Sequence, residues 1–240
     1  MIKYIYKAVA VLIEIRGIGI SGKKTSGLAY LCKKKTKHYN NISPFDLKQE
    51  KKRLDKVIEE AGTEVECILQ AAKNDNNDAW NIFETHKLLL DDIELKKYIV
   101  GLIDQGYDLL SALIRTRDDM KTHFLNMESE IFRTKVSDIE DVFERLIKLE
   151  SGNLEIVTYP EKPFILICDE ILPSMIYQLP IELLRGIIVK FGSNCSHGAI
   201  LARTKNIPVI IRLKNRIDLI KPNQKVLMNG ELGTIFLLDD

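Results

Sequence analysis

The distribution of prolines, glycines and β-branched residues divides this chain into three segments. Residues 1–31 are apolar and β-branched and contain several glycines, which favours strands joined by turns. Residues 45–150 contain no proline, and their apolar side chains recur every three or four positions, which predicts helices. Short apolar runs typical of buried strands then return at residues 164–168, 186–189 and 209–211.

A chain of 240 residues is long enough to bury a sizeable core and can hold one large domain or two modest ones. The segment order predicts an α/β domain built from both ends of the chain, residues 1–34 and 150–240. A helical bundle, residues 35–149, is then inserted between them. Such insertions are tolerated because the termini of a domain often lie close together.

Local signals predict where several elements begin and end. Ser43 and Pro44 have the residue types of a helix N-cap and first helical position, and Ser137 followed by Glu140 has capping-box spacing. The acidic run at residues 91–94 is expected to cap the third helix. Near the carboxyl end, Asn229 begins the turn of a hairpin in which the extra residues 231–233 indicate a bulge. Five helices are predicted. The first starts near residue 43, and the other four cover residues 79–90, 93–104, 108–132 and 137–148.

Composition excludes several classes of protein. A formal net charge of +1 gives no reason to expect a nucleic-acid or membrane partner. The four cysteines lack CxxC spacing, which argues against zinc and against a disulfide framework. The apolar amino end meets Glu14 and Arg16 too early for a signal peptide or a membrane span, so a strand and a cytoplasmic location are expected.

The chemistry-bearing segment is residues 192–203, in which His197 stands where a flexible turn meets a short predicted helix. The free N–H groups of a helix start attract anions, and Arg203 adds a fixed positive charge. A histidine held there is suited to carrying a phosphoryl group on a ring nitrogen. The alternative is a plain surface or capping histidine. Cys195 lacks the further ligands that zinc requires, so it is interpreted as a small turn residue rather than a metal ligand.

Ser196–His197 with Ile200, Ala202–Arg203 and Ile207–Pro208 resembles the phosphohistidine motif of the phosphoenolpyruvate-utilising enzymes, T-S-H-x-x-I-x-A-R…I-P. The two-part organisation is similar to the amino-terminal half of enzyme I of the bacterial sugar phosphotransferase system. The further stretches that resemble this family are residues 17–29, 82–95, 137–141 and 172–174.

The resemblance implies an α/β swivelling phosphohistidine domain in which His197 is phosphorylated, with Ser196, Arg203 and Cys195 stabilising the phosphate. It implies that the inserted bundle docks the small phosphocarrier protein HPr. His86, Leu89 and Glu140 are the contact candidates there, although His86 fits a packing role equally well. Phosphoenolpyruvate and magnesium would bind a carboxy-terminal barrel, in cis or in trans, so no cofactor or metal is expected in this chain. The chain is either a fragment of a longer enzyme or a stand-alone version.

Several positions depart from the family pattern, including residues 21–23, where the family has S-P-G. Cys195 and Ser193 stand where the family has threonine and glycine, Ile176 stands where a threonine would contact the histidine, and Glu140 stands where the bundle has an arginine. Two alternatives therefore stay open. One is a non-catalytic module that docks an HPr-type partner, and the other is the phosphohistidine domain of a dihydroxyacetone-kinase phosphotransferase subunit.

Overall fold

The computed structural model describes residues 11–32, 46–73, 77–128, 135–152 and 159–238. The chain divides into two compact units. The first unit comprises Met1–Lys35, Thr158–Ile171 and Met175–Asp240, and the second comprises Thr36–Val157 and Leu172–Ser174.

The first unit is built on one sheet, in which eight described strands have the order β1-β8-β7-β3-β4-β5-β6-β2. The strands are β1 Val11–Arg16, β2 Ile18–Ser21, β3 Lys24–Leu31, β4 Phe164–Cys168, β5 Leu184–Val189, β6 Val209–Ile211, β7 Lys225–Asn229 and β8 Thr234–Leu238.

Four neighbouring strands, β3 to β6, run parallel, and the outer strands pair antiparallel with them or with each other. Every residue of β4 is buried, as a continuous apolar run predicts for a central parallel strand. Because parallel strands share a direction, the carboxyl ends of β3 to β6 lie at one edge of the sheet. One face of the sheet packs a core of Ile15, Ala29, Ile165, Ile167, Ile188, Ile210, Leu213, Ile217, Ile220, Val226, Met228, Ile235 and Leu237.

The predicted hairpin forms between β7 and β8, and its turn is bulged as predicted. Asn229 pairs with Thr234, and Gly233, with a φ of +67°, also donates its amide to the Asn229 carbonyl at 2.9 Å. Two residues therefore oppose Asn229, the first of them a left-handed glycine, which is the geometry of a glycine bulge. The Asn229 side chain, 7% exposed, accepts hydrogen bonds from the amides of Glu231 and Leu232 at 3.0 and 3.1 Å, which closes the turn.

Short helices connect the parallel strands. Helix α6, Pro173–Gln178, follows β4, and helix α7, His197–Thr204, follows β5; α1 to α5 are the helices of the second unit. A 3₁₀ turn at Lys214–Leu219 follows β6.

The second unit is helical, with α1 Leu47–Ala72, α2 Asn77–Leu90, α3 Ile93–Asp104, α4 Leu109–Leu125 and α5 Val136–Glu150. Helix α1 packs on α2 and α4 packs on α5. Apolar side chains of all five helices are buried in a core that includes Leu54, Val57, Val65, Phe83, Ile99, Ile103, Leu113, Val142, Phe143 and Leu146. None of the helices in the described ranges is both long and apolar enough to cross a membrane.

Carboxylates begin three of these helices. Asp92 caps α3, as predicted, by accepting from the amides of Glu94 and Leu95, and Asp108 caps α4 in the same way. Asp46 caps α1; the predicted cap at Ser43 lies outside the described residues.

The predicted capping box of the fifth helix is wrong. Helix α5 begins at Val136, so Ser137 is already helical and its N-cap, Lys135, makes no side-chain cap. The acidic residues of its first two turns are buried instead. Asp138, Glu140 and Asp141 are all at most 5% exposed.

Candidate functional site

The segment that carries His197 leaves the sheet at the carboxyl end of β5. The amide of Lys190 donates to the carbonyl of Cys168 at 3.0 Å, and that of Phe191 donates to the carbonyl of Asp169 at 3.0 Å, which holds the segment against the end of β4. Gly192 then adopts a φ of +111°, a conformation that L side chains rarely reach. The glycine therefore lets the chain turn away from the strand.

Ser193 organises the turn that follows. Its carbonyl accepts the amide and the hydroxyl of Ser196 at 3.2 and 3.0 Å, and its own hydroxyl accepts the amide of Cys195 at 3.0 Å. Ser193 stands where the family pattern has a glycine, so the departure supplies a side chain that stabilises the turn. The Ser196 hydroxyl donates its proton to the Ser193 carbonyl in this structure. It can therefore only accept a further hydrogen bond, whereas a phosphate on His197 would need a donor.

His197 is the first residue of α7 and is partly exposed. Ser196 is the N-cap through its backbone, and its carbonyl accepts the amide of Ile200 at 3.0 Å. The amides of the first turn precede the intrahelical ladder and have no partner within the helix itself. His197 therefore lies at the positive end of a helix, where an anion is stabilised.

Gly198 sets how closely this helix start approaches the sheet. A Cβ at this position would overlap the carbonyl oxygen of Ile171 and lie 2.8 Å from its carbonyl carbon. Ile171 is 5% exposed and follows β4 by a few residues. The missing side chain lets the turn that bears His197 rest directly on that backbone.

Arg203 and Cys195 are less closely tied to the histidine. Arg203 follows His197 by six residues, which places it about 9 Å further along the helix axis. Its side chain is exposed. Cys195 is an exposed free thiol.

A cation that sequence reasoning missed lies nearer to the loop. Arg212 immediately follows β6, and its Nε donates to the carbonyl of Gly192 at 3.2 Å. Lys190 and Lys214 lie on the same two chain segments, joined by a hydrogen bond from the Lys214 amide to the Lys190 carbonyl at 3.0 Å. A basic residue directly after a parallel strand was the signal in the sequence, because ligands gather at such strand ends.

The predicted contact residues of the bundle are mostly internal. The His86 ring is 0% exposed, packs edge-on against Phe83 at 5.2 Å, and has its Nε2 3.6 Å from Oδ1 of Asp138. Glu140 is 5% exposed and forms an ion pair with Lys121. Burial thus favours the packing role of His86, and among the three candidates only Leu89 offers more than a small part of its surface to solvent.

Two stretches that carried the resemblance meet inside the second unit. Oδ2 of Asp141 accepts the backbone amide of Ser174 at 2.7 Å, and Oδ1 accepts the Ser174 hydroxyl. Both residues are buried. The aspartate at residue 141 and the L-P-S turn at residues 172–174 are therefore parts of one structural contact.

Comparison with known proteins gives matches along most of the chain. The family model described as PEP-utilising enzyme, N-terminal, matches residues 16–135, and the model described as PEP-utilising enzyme, mobile domain, matches residues 160–233. The second match contains the whole loop and helix that carry His197.

Individual relatives agree with these matches. The phosphoenolpyruvate-protein phosphotransferases of Listeria innocua and Bacillus subtilis are each 29% identical to this chain over 93% of its length. That of Buchnera aphidicola is 30% identical over 90%. The chain spans about 40% of the length of the curated relatives it matches.

Solved structures share the fold. A structure described as the N-terminal domain of an enzyme I of the nitrogen type superposes with a TM-score of 0.65 at 21% identity, covering 93% of both chains. A solution structure of an enzyme I protein gives 0.68 at 24% identity, covering 94% of this chain and 93% of the other. The combination of helices and a mixed sheet is thus that of the enzyme I amino-terminal domain.

Proposed function

The chain belongs to the family of PEP-utilising enzymes, and we propose that its first unit is the phosphoryl-carrying domain of a phosphoenolpyruvate-protein phosphotransferase. His197 is the acceptor in this proposal. The observation that carries it is the placement of a partly exposed histidine as the first residue of α7, directly after a turn at the end of a parallel strand. A phosphate on that ring meets the positive end of the helix.

Transfer at this site needs few parts. A ring nitrogen of His197, Nε2 by resemblance to the family, uses its lone pair to form the new N–P bond while the N–P bond of the donor phosphohistidine breaks. The donor nitrogen keeps the released electron pair, so no further reactant is required. The protein contributes position and charge stabilisation, which dominate phosphoryl transfer. The first-turn amides of α7 supply part of that stabilisation.

The second unit is proposed to be a helical bundle inserted into the α/β domain, with the domain boundaries near residues 34 and 150. Its proposed role is to dock an HPr-type phosphocarrier. Leu88 and Ile93, 66% and 67% exposed where α2 meets α3, support this role because a docking surface places apolar side chains in solvent. The proposed location is the cytoplasm. Phosphoenolpyruvate and magnesium are proposed to bind a barrel domain outside this chain, in cis or in trans.

Incubation with a purified, ³²P-labelled HPr-type carrier tests the proposal. The wild-type chain should take up label that is stable to alkali and labile to acid, and His197→Ala should take up none, because the acceptor nitrogen is gone. His123→Ala is the matched control, since this exposed histidine lies on α4 in the other unit. Full labelling of the His197→Ala variant would exclude His197 as the acceptor.

One observation favours the non-catalytic alternative. Ile176, at the position where the family has a threonine near the histidine, is a fully buried aliphatic residue and offers no hydroxyl. In that case the chain docks its partner without accepting phosphate. Binding of the HPr-type carrier by calorimetry, together with a wild-type chain that takes up no label, would establish this alternative.

A further inference from the structure

We propose that Arg212 binds the phosphoryl group on His197 while it fastens the loop that presents this histidine. The inference rests on the proposed phosphocarrier function. Arg212 is not part of the motif through which the sequence resembles its family, and its role follows from the geometry at the carboxyl ends of two strands.

Strand pairing brings Arg212 to the loop. Strands β5 and β6 are parallel, with Ile187 opposite Val209 and Ile188 opposite Ile210. The two strands end together at Val189 and Ile211. The segment that leads to His197 and the residue Arg212 therefore emerge side by side at the edge where ligands of parallel sheets bind.

The guanidinium is attached to the loop by one nitrogen. Its Nε donates to the carbonyl of Gly192 at 3.2 Å, at the point where the glycine turns the chain toward His197. The two Nη groups make no hydrogen bond or ion pair with any residue of the described ranges. A guanidinium anchored in this way keeps a pair of parallel N–H donors, which is the geometry that binds phosphate oxygens.

The backbone of Arg212 points to function as well. Its φ of +61° lies in the left-handed region, where glycine would be more favourable than an arginine. Strained residues of this kind persist at functional sites. Strain alone does not distinguish Arg212, since Lys214 has a φ of +53° two residues later. The hydrogen bond to Gly192 distinguishes Arg212 from Lys214. In the described part of the chain, the Lys214 side chain makes no such bond to the loop.

The charges at this edge suit an anion. The Lys190 ammonium lies 5.5 Å from the centre of the Phe191 ring, and Lys214 and Arg212 follow β6 directly. Asp169, whose carbonyl accepts the Phe191 amide, and Glu170 are carboxylate residues that follow β4 at the same edge. The three cationic residues Lys190, Arg212 and Lys214 outnumber these two. During transfer Arg212 contributes N–H···O bonds to the phosphoryl oxygens and exchanges no proton or electron.

The test compares two substitutions that relieve the same strain. Arg212→Gly and Lys214→Gly each remove one exposed positive charge and one left-handed L-residue, but only the first removes the donor to Gly192. We expect Arg212→Gly to slow single-turnover uptake of phosphate from a labelled HPr-type carrier by about 10- to 100-fold. Lys214→Gly should leave the rate close to that of the wild type. Arg212→Lys keeps the charge without the planar fork and should restore only part of the rate.

If Arg212 had a purely structural role, Arg212→Gly would have a lower melting temperature than the wild type. We expect instead a melting temperature equal to or above that of the wild type, since glycine relieves the left-handed strain, together with a lower transfer rate. Transfer by Arg212→Gly at the wild-type rate, or an equal loss in both glycine variants, would overturn the assignment. A wild-type chain that takes up no label would overturn the proposed function itself, which separates the two failures.

Discussion

The substitution Gly198→Ala is expected to destabilise the first unit by roughly 3 kcal/mol, the upper end of the usual cost of overpacking. Its Cβ would overlap the carbonyl oxygen of Ile171, a backbone atom that cannot rotate away as a side chain can. Either the start of α7 or the segment after β4 must move in a close-packed interior. Hydrogen exchange of the β4, β5 and β6 amides, read by mass spectrometry, measures the loss of protection.

The same substitution elsewhere provides the control. A Cβ on Gly62, inside α1, would meet nothing within 4 Å. Gly62→Ala should therefore raise stability by about 0.5–1 kcal/mol through helix propensity alone. The two variants should also separate in function, with slower phosphate uptake by Gly198→Ala because its first-turn amides are displaced. Unchanged protection in β4 of Gly198→Ala would contradict the close packing of Gly198 on Ile171.

The central strands could be read from the sequence because their signal is local. An uninterrupted apolar run has no solvent face, and β4 is buried at every residue as that pattern requires. The third helix was predicted with its observed bounds, Ile93–Asp104, because Asp92 at the start and Gly106 beyond the end are local signals too. Such features need no knowledge of the rest of the fold.

The burial of the acidic residues in the first two turns of α5 could not be predicted, since their partners are distant in sequence. Local rules treat carboxylates there as exposed residues that favour a helix start. In the structure, Glu140 pairs with Lys121 of α4 and Asp141 bonds Ser174, which is 33 residues away. Ser137 consequently lies inside the helix rather than at its cap.

The candidate site also combines features that local sequence predicts with features that depend on distant parts of the chain. The motif predicted that His197 stands at a helix start, because the small residues and the turn around it are neighbours in sequence. Arg212 reaches the loop only through the pairing of β5 with β6, which no local pattern specifies. For His86 the local sequence leaves two placements open, because a histidine on a leucine-rich helix can contact a partner or pack in the core. Only packing places it in the core.

Removal of the Asp141 carboxylate should destabilise the second unit by roughly 3 kcal/mol. Asp141→Ala leaves the amide and hydroxyl of Ser174 without their acceptor in a buried site, and each such loss costs about 1–3 kcal/mol. Urea unfolding followed by tryptophan fluorescence measures the change, because Trp80, the single tryptophan of the chain, lies in α2. Asp55→Ala is the control, since its exposed pair with Lys96 is worth less than about 1 kcal/mol.

A double-mutant cycle with Ser174→Ala isolates the contact itself. Ser174→Ala removes the hydroxyl but keeps the amide that donates to Oδ2 at 2.7 Å, so it should cost less than Asp141→Ala. The double variant should be more stable than the sum of the single losses predicts, by about 1 kcal/mol or more, because the hydroxyl and the carboxylate act on each other. Strictly additive losses would show that Asp141 is stabilised by something other than Ser174. Coupling would explain why the two stretches occur together in a chain that departs from its family pattern at Ser193, Cys195 and Ile176, the positions around the histidine.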